Sequence, residues 1–421
     1  MWKKILQKRG IVMLFKNKNF QFLLWSRISS NIGDSIFYIV SMWAILEISR
    51  SPILTGVAGF LFTLPSIFNV LLGPLIDRSH PKKLYIFASI IQALLLGIIL
   101  FTLGIGEMNV WMLLFIILLL TIFSEVVYPI ENVLIPKVVE KGQLVKANSV
   151  MSVAYQGLDF VFNGLSGILI GFLAITVLYG LNLLFFLIPI FLMMLLKINI
   201  SRGKKESKDK GNSYKEELLE GLKVVNHPLL RAFLVPLTII NFLFAMILVT
   251  LPSFANQYGN GPSTYGLTIA FLGLGSMLGA LFIDNFRTKQ RLGIMMSAGF
   301  ILSGCTWLLM VFSIQLSEII FYILLAISYA FIGAINVLFT VLFQKLPEEK
   351  MLGRVNTAIE SIISFAMPIG SLAGGFLTEL ASPIFVLCLF GIGLIILGGF
   401  YLFNRSIQSL PDIDKVEKLE R

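Results

Sequence analysis

The sequence predicts an all-α integral membrane protein with twelve transmembrane helices in two six-helix halves, and three observations carry that expectation. Apolar residues make up 57% of the 421 positions and charged residues 13%, with a mean hydropathy of +0.88, a composition unlike that of soluble domains. Apolar stretches recur at the ~20 residues a helix needs to cross ~30 Å of hydrocarbon. Of the 33 Lys and Arg residues, all but Arg27 and Arg50 fall in or beside connections on one side of a membrane so threaded.

The spans run near 20–46, 53–76, 84–104, 109–135, 148–172, 174–196, 229–256, 264–284, 292–313, 317–344, 355–379 and 382–404. Short cytoplasmic loops retain Lys and Arg, so the basic residues orient the chain. One side holds Lys3, Lys4, Lys8, Arg9, Lys16 and Lys18 before span 1, Arg78, Lys82 and Lys83 after span 2, and Lys137, Lys141 and Lys146 after span 4. It also holds the basic run between spans 6 and 7, then Arg287, Lys289 and Arg291, then Lys345, Lys350 and Arg354, then the C-terminal tail. Both termini are therefore expected in the cytoplasm. Richness in Lys, Asn, Ile and Phe points to an AT-rich bacterial genome, and so to a bacterial inner or plasma membrane.

The net charge of +10 and pI near 9.5 follow from this topology and from attraction to anionic headgroups. No nucleic-acid partner is expected, because the cations are spread along the chain rather than gathered in one patch. Cys305 and Cys388 sit in apolar spans as packing residues. His80 and His227 lie in connections, so neither a metal site nor histidine-based catalysis is expected. Gly273, Gly275 and Gly279 resemble part of a nucleotide fingerprint, but inside an apolar span they read as helix-packing glycines. Lys204 follows Gly203 without the rest of a phosphate-binding loop. The chain reads as a non-enzyme without cofactors. Its first apolar stretch has no small-residue cleavage site and reads as a retained span.

Residues 198–228 are polar and charged and divide the chain into a first half, 1–197, a cytoplasmic linker, 198–228, and a second half, 229–421, with a short cytoplasmic tail. Within the linker, Tyr214 to Val225 reads as a short surface helix. The halves echo each other: EKGQLVKANSV at 140–150 matches PEEKMLGRVNT at 347–357, pairing Lys146 with Arg354 and Asn148 with Asn356, and Gly167 pairs with Gly375. Asp77 and Asp284 end the second span of each half. An even number of spans per half makes this a parallel repeat, for which a two-half rocking architecture with a central cavity is expected.

The connection Gly73-Pro74-Leu75-Ile76-Asp77-Arg78-Ser79-His80-Pro81-Lys82-Lys83 resembles the G-x-L-x-D-R-x-x-R-K-x signature between spans 2 and 3 of the major facilitator superfamily, with Pro81 replacing the usual basic residue. The segments around LVKAN and LGRVN resemble the macrolide-efflux-like branch. The resemblance implies that Asp77 meets the start of span 11 near Asn356 and Thr357 and holds the cytoplasmic side shut. Gly73 allows close helix approach, and Arg78, Lys82 and Lys83 add charge contacts or act only as topology determinants. Glu360, shallow in span 11, joins this cytoplasmic gate.

Ionisable groups inside spans cost ~2.5–3.5 kcal/mol each on insertion scales and should face a cavity or one another. In span 1, Arg27, Ser30, Asn31, Asp34, Tyr38 and Ser41 form one helical stripe, read as a cavity lining, with a helix–helix polar seam as the alternative. Span 4 adds Thr121, Glu125, Tyr128 and Asn132; span 5 adds Asn148, Ser152, Tyr155, Gln156, Asp159 and Asn163. Asp34, Glu125 and Asp159 lie near mid-depth, while Glu131 lies close enough to the cytoplasmic end to reach headgroups. Glu47, Glu107, Glu318 and Glu379 read as interfacial.

Three mid-depth acids against one base leave surplus carboxylate, which in an apolar setting can load and release protons at cellular pH. The expected function is secondary transport by alternating access, as proton-coupled efflux (antiport) of hydrophobic or amphiphilic compounds such as macrolide-like drugs. Asp34 is the first choice for coupling, with Arg27, Asn31, Tyr38, Glu125, Tyr128, Gln156 and Asp159 around the substrate; the alternative is that the acids bind a cationic substrate directly. Two departures from drug antiporters stand: no Arg or Lys lies between Trp111 and Ile135, and span 5 lacks a Gly-Pro pair, its nearest echo being Pro368-Ile369-Gly370. Export of a siderophore or other metabolite, proton symport, and a non-transporting membrane sensor or partner subunit are the alternatives. The expected partners are a small-molecule substrate, protons and the lipid bilayer, with the chain acting as a monomer.

Overall fold

The computed structural model describes residues 14–68, 79–152, 154, 159–197, 226–283, 291–347 and 352–412. Among them no strand occurs. Ten helices are long and apolar enough to cross a membrane: α1 (Lys18–Ser49), α3 (Pro81–Gly104), α4 (Val110–Val138), α7 (Ile175–Leu195), α8 (Pro228–Tyr258), α9 (Pro262–Phe282), α10 (Leu292–Ser313), α11 (Glu318–Lys345), α12 (Leu352–Leu380) and α13 (Pro383–Phe403). Shorter apolar helices, α2 (Pro52–Thr63, continuing into a 3-10 turn at Leu64–Phe68) and α6 (Asp159–Ile170), stand where spans 2 and 5 are expected. The pattern is that of a twelve-span helical membrane protein. Helix α5 (Leu144–Ser152) precedes α6, and the four-residue α14 (Arg405–Gln408) follows α13.

Local chemistry places the helix ends. Asn17 caps α1 by accepting from the backbone N–H groups of Asn19 and Phe20 at 3.0 and 3.3 Å, which satisfies donors that have no intrahelical partner. Arg50 closes α1 in the left-handed region, φ 53°, and donates its N–H to the Leu46 carbonyl at 2.7 Å. Pro52, Pro81, Pro228, Pro262 and Pro383 each open a helix, where a missing N–H forfeits no bond. Neighbouring helices complete several ends: Asn17 donates to the Val138 carbonyl at 2.8 Å, and Asn19 exchanges hydrogen bonds with Lys197 at 3.0 and 3.1 Å.

The chain divides into two compact units, Met1–Arg50 with Leu61–Lys204 and Ser51–Phe60 with Lys205–Arg421. In the first, α1 packs on α7, α6 and α4, and α3 on α7 and α4, around buried Phe20, Leu23, Tyr85, Ile130 and Leu134. In the second, the start of α2 lies with α8 and α12. Glu379 of α12, expected to be merely interfacial, accepts from the Ser51 hydroxyl at 2.7 Å and the Ile53 N–H at 3.2 Å. A carboxylate is favourable there because the first turn of a helix presents unpaired N–H groups.

Glycine sets the approach of helices in the second unit. A Cβ on Gly279 of α9 would sit 1.8 Å from the Ala330 carbonyl oxygen of α11, and one on Gly275 would sit 2.4 Å from that of Ala326. Backbones touch there as they do at small-residue interfaces in membranes. Large apolar side chains such as Phe101, Trp111, Phe172, Leu316 and Phe403 are left exposed, as lipid-facing surfaces require. Gly279→Val is therefore expected to lower stability by about 1–3 kcal/mol through overpacking. Gly97→Ala, with nothing within 4 Å of the added methyl, is expected to stay within ~0.5 kcal/mol of the parent. Thermal unfolding in detergent micelles distinguishes the two.

Candidate functional site

Depth along antiparallel helices decides which polar side chains of the first unit can meet. At 1.5 Å per residue, Arg27 and Asp34 lie roughly 14 and 24 Å from the Lys18 end of α1. Glu131, Tyr128 and Ser124 lie roughly 11, 15 and 21 Å from the Val138 end of α4 by the same rise. These levels match in pairs, and the side chains meet accordingly.

Arg27 Nε lies 2.7 Å from Glu131 Oε2, and both are buried, at 4% and 0% exposure. A buried ion pair is tolerated only with additional polar contacts, and both partners have them. Glu131 Oε1 accepts from the Tyr85 hydroxyl of α3 at 3.2 Å. The Arg27 guanidinium lies 4.2 Å from the centre of the Tyr128 ring, a favourable cation–π arrangement. The Tyr85 hydroxyl is also within 2.8 Å of Ser26 Oγ and 3.3 Å of Ser30 Oγ.

Tyr128 links this pair to Asp34. Its hydroxyl donates to Asp34 Oδ2, while Ser124 donates to Oδ1 at 3.0 Å and itself accepts from Gln92 Nε2 of α3 at 2.7 Å. Asp34 is only half-buried, unlike Arg27 and Glu131. Half-buried Glu125 and the Arg27 cation are both within electrostatic reach of it. The result is one continuous polar chain, Gln92–Ser124–Asp34–Tyr128–Arg27–Glu131–Tyr85, that crosses three helices.

The span 1 stripe is divided by its surroundings. Asn31 is buried and donates to the Ala154 carbonyl at 3.1 Å, where a backbone acceptor between α5 and α6 requires a donor. Ser41 is buried against the Tyr179 hydroxyl at 2.9 Å. These two belong to helix–helix seams, whereas Asp34 and Tyr38 keep partial exposure, Tyr38 with its ring edge-on to Phe62 at 4.9 Å.

Among the expected gate residues, Lys82 donates to the carbonyls of Met194 and Leu196 at 3.1 and 2.7 Å, satisfying the C-terminal end of α7. Lys83 and Glu360 are exposed. Gly73, Asp77, Arg78, Tyr155 and Gln156, and the side chains of Asp159 and Asn356, lie outside the described residues.

Sequence reasoning missed Glu131, Tyr85, Gln92 and Ser124. Glu131 does not extend to headgroups, because the buried Arg27 cation holds it in the interior. Two signals were present: the matched depth of Arg27 and Glu131, and the polar stripe Tyr85, Ser89, Gln92 at i, i+4, i+7 on span 3, all buried.

The family model for the Major Facilitator Superfamily matches residues 23–366. The chain is 25% identical over 348 residues to macrolide efflux protein A of Streptococcus pyogenes, covering 81% of this chain and 84% of that relative. It is 22% identical over 416 residues to the multidrug efflux pump Tap of Mycolicibacterium fortuitum, covering 96% and 98%. Among solved structures, the nucleoside transporter NupG superposes with a TM-score of 0.66 at 14% identity, covering 92% of this chain and 98% of that one. A bacterial homologue of the iron transporter ferroportin, in an inward-facing state, superposes with a TM-score of 0.66 at 17% identity, covering 91% and 98%. At such identities the structural likeness speaks for fold alone. With the family model spanning most of its length, the chain belongs to the Major Facilitator Superfamily of membrane transporters.

Proposed function

We propose that this chain is a proton-coupled exporter of hydrophobic or amphiphilic small molecules, macrolide-like compounds among them. It works by alternating access in a bacterial plasma membrane, with both termini cytoplasmic. The observation that carries this reading is the charge imbalance of the network around Asp34. Arg27 is matched by buried Glu131, so the half-buried Asp34 carboxylate leaves the set with a net negative charge that a proton or a cationic group can neutralise. Glu125, close by, adds to the excess.

The geometry makes that neutralisation consequential. As a carboxylate, Asp34 accepts from Tyr128 and Ser124; once protonated it carries a donor of its own and no charge. Tyr128, with its ring over Arg27, then senses a different partner. Proton and cargo that interact differently with the two protonation states shift the transporter between conformations, as exchange requires. The efflux roles named for the Streptococcus and Mycolicibacterium relatives support export rather than uptake. The carried-over gate around Asp77, Lys82, Lys83, Asn356 and Glu360 is part of the same proposal, with Lys82 acting there through the end of α7.

Proton movement in inverted membrane vesicles, challenged with macrolides, cationic dyes and iron-chelating metabolites, tests the reading. Compound-triggered proton release is expected with the parent and absent with Asp34→Asn. Unchanged release in that variant would refute the assignment of Asp34. Glu131→Gln, which strands a buried cation, is expected to cost about 3–5 kcal/mol of stability. Arg27→Gln combined with Glu131→Gln should recover most of that loss in thermal unfolding.

A further inference from the structure

We propose that the second unit binds one anionic phospholipid, with an acyl chain in a cavity between α9, α10 and α11 and the headgroup at Arg291 and Lys345. The cavity is about 360 Å³, within the ~300–1,000 Å³ of small-molecule sites. Every side chain lining it is apolar, including Phe282 of α9, Ala298 and Leu302 of α10, and Ala334 and Leu338 of α11. A site that orients a polar cargo contains at least a few converging polar groups, and here none converge. An unbranched hydrocarbon chain needs none.

The cavity opens on the membrane-facing surface, where Phe282 and Leu302 are 58% and 48% exposed and Ala298 is also exposed. α9 and α11 are drawn together at Gly279 and Ala330, while α10 presents the small residues Ala298 and Gly299 between Met295 and Leu302. A void facing lipid forfeits contacts on its open side, and the acyl chain of a neighbouring lipid restores them.

The charge pattern selects the lipid. Arg291, which caps the start of α10, and Met295, Ala298 and Leu302 within that helix follow i, i+4, i+7, i+11, so exposed Arg291 stands at the end of the stripe that lines the cavity. On α11, Ala334 and Leu338 continue to Lys345 at the same spacing. Arg291 and Lys345 thus stand roughly 10 Å beyond Ala298 and Leu338 along their helices, at one end of the cavity. Basic groups between helices at the cytoplasmic surface suit anionic headgroups. This inference depends on the membrane setting and not on the direction or cargo of transport.

Native mass spectrometry of the purified full-length chain, titrated with phosphatidylglycerol or phosphatidylcholine after delipidation, tests it. The parent is expected to retain one phosphatidylglycerol in preference to phosphatidylcholine. Arg291→Gln with Lys345→Gln should weaken phosphatidylglycerol retention by about tenfold without lowering the Tm of the lipid-free protein. Ala298→Leu with Ala334→Leu, filling the cavity, should abolish retention of both lipids at this site. Equal retention of the two lipids by the parent and the charge variant would mean ordinary annular lipid and overturn the proposal. Displacement of phosphatidylglycerol by a macrolide, one for one, would assign the cavity to cargo and overturn it as well.

Discussion

The Arg27–Glu131 ion pair is the interaction on which the rest of the first unit depends. Two charges removed from water repay their desolvation only when geometry is good and the remaining donors and acceptors are met. At 2.7 Å the pair is well placed, and Tyr85 on the carboxylate and Tyr128 under the guanidinium add further contacts. They also fix α1, α3 and α4 in depth and rotation, since a shift of one residue along any of the three would break a contact in the set. The same constraint delivers the Tyr128 hydroxyl to Asp34, so the pair that sets the register of these helices also positions the group proposed to couple transport.

The two units answer the membrane with different chemistry, although their sequences echo each other. Among the described residues, Arg27 and Glu131 are the buried charged side chains, and both belong to the first unit. The buried polar groups of the second are neutral: Thr250 and Thr378 lie 2.6 Å apart, Ser303 and Ser328 lie 3.1 Å apart, and the Trp307 indole donates to the Leu387 carbonyl at 2.8 Å. Glycine-mediated backbone contact takes the place of charge, as at Gly275, Gly279 and Gly333. The sequence echo covers loop motifs, while the interior chemistry of the described residues differs.

The acidic residues near helix ends differ in role more than their shared polarity suggests. Glu379 satisfies the start of α2, Glu318 accepts from the Asn260 amide at 2.6 Å, and Glu47 accepts from the Trp43 indole at 3.1 Å. Placement at an interface explains why these acids are tolerated, and local hydrogen bonding explains what they hold together.

Span number and the packing role of Gly275 and Gly279 were legible in the sequence, because hydropathy and small side chains act locally and additively. So was the need of Arg27, Asp34 and Tyr128 for polar partners, since ionisable and polar groups inside an apolar span are costly unless they meet one another. Tertiary structure alone decided that Glu131 turns inward to Arg27, that Asn31 serves a seam through the Ala154 carbonyl, that Lys82 satisfies the end of α7, and that an apolar cavity remains between α9, α10 and α11. Each of these depends on the relative depth and rotation of helices distant in sequence, quantities set by close packing rather than by any local pattern of residues.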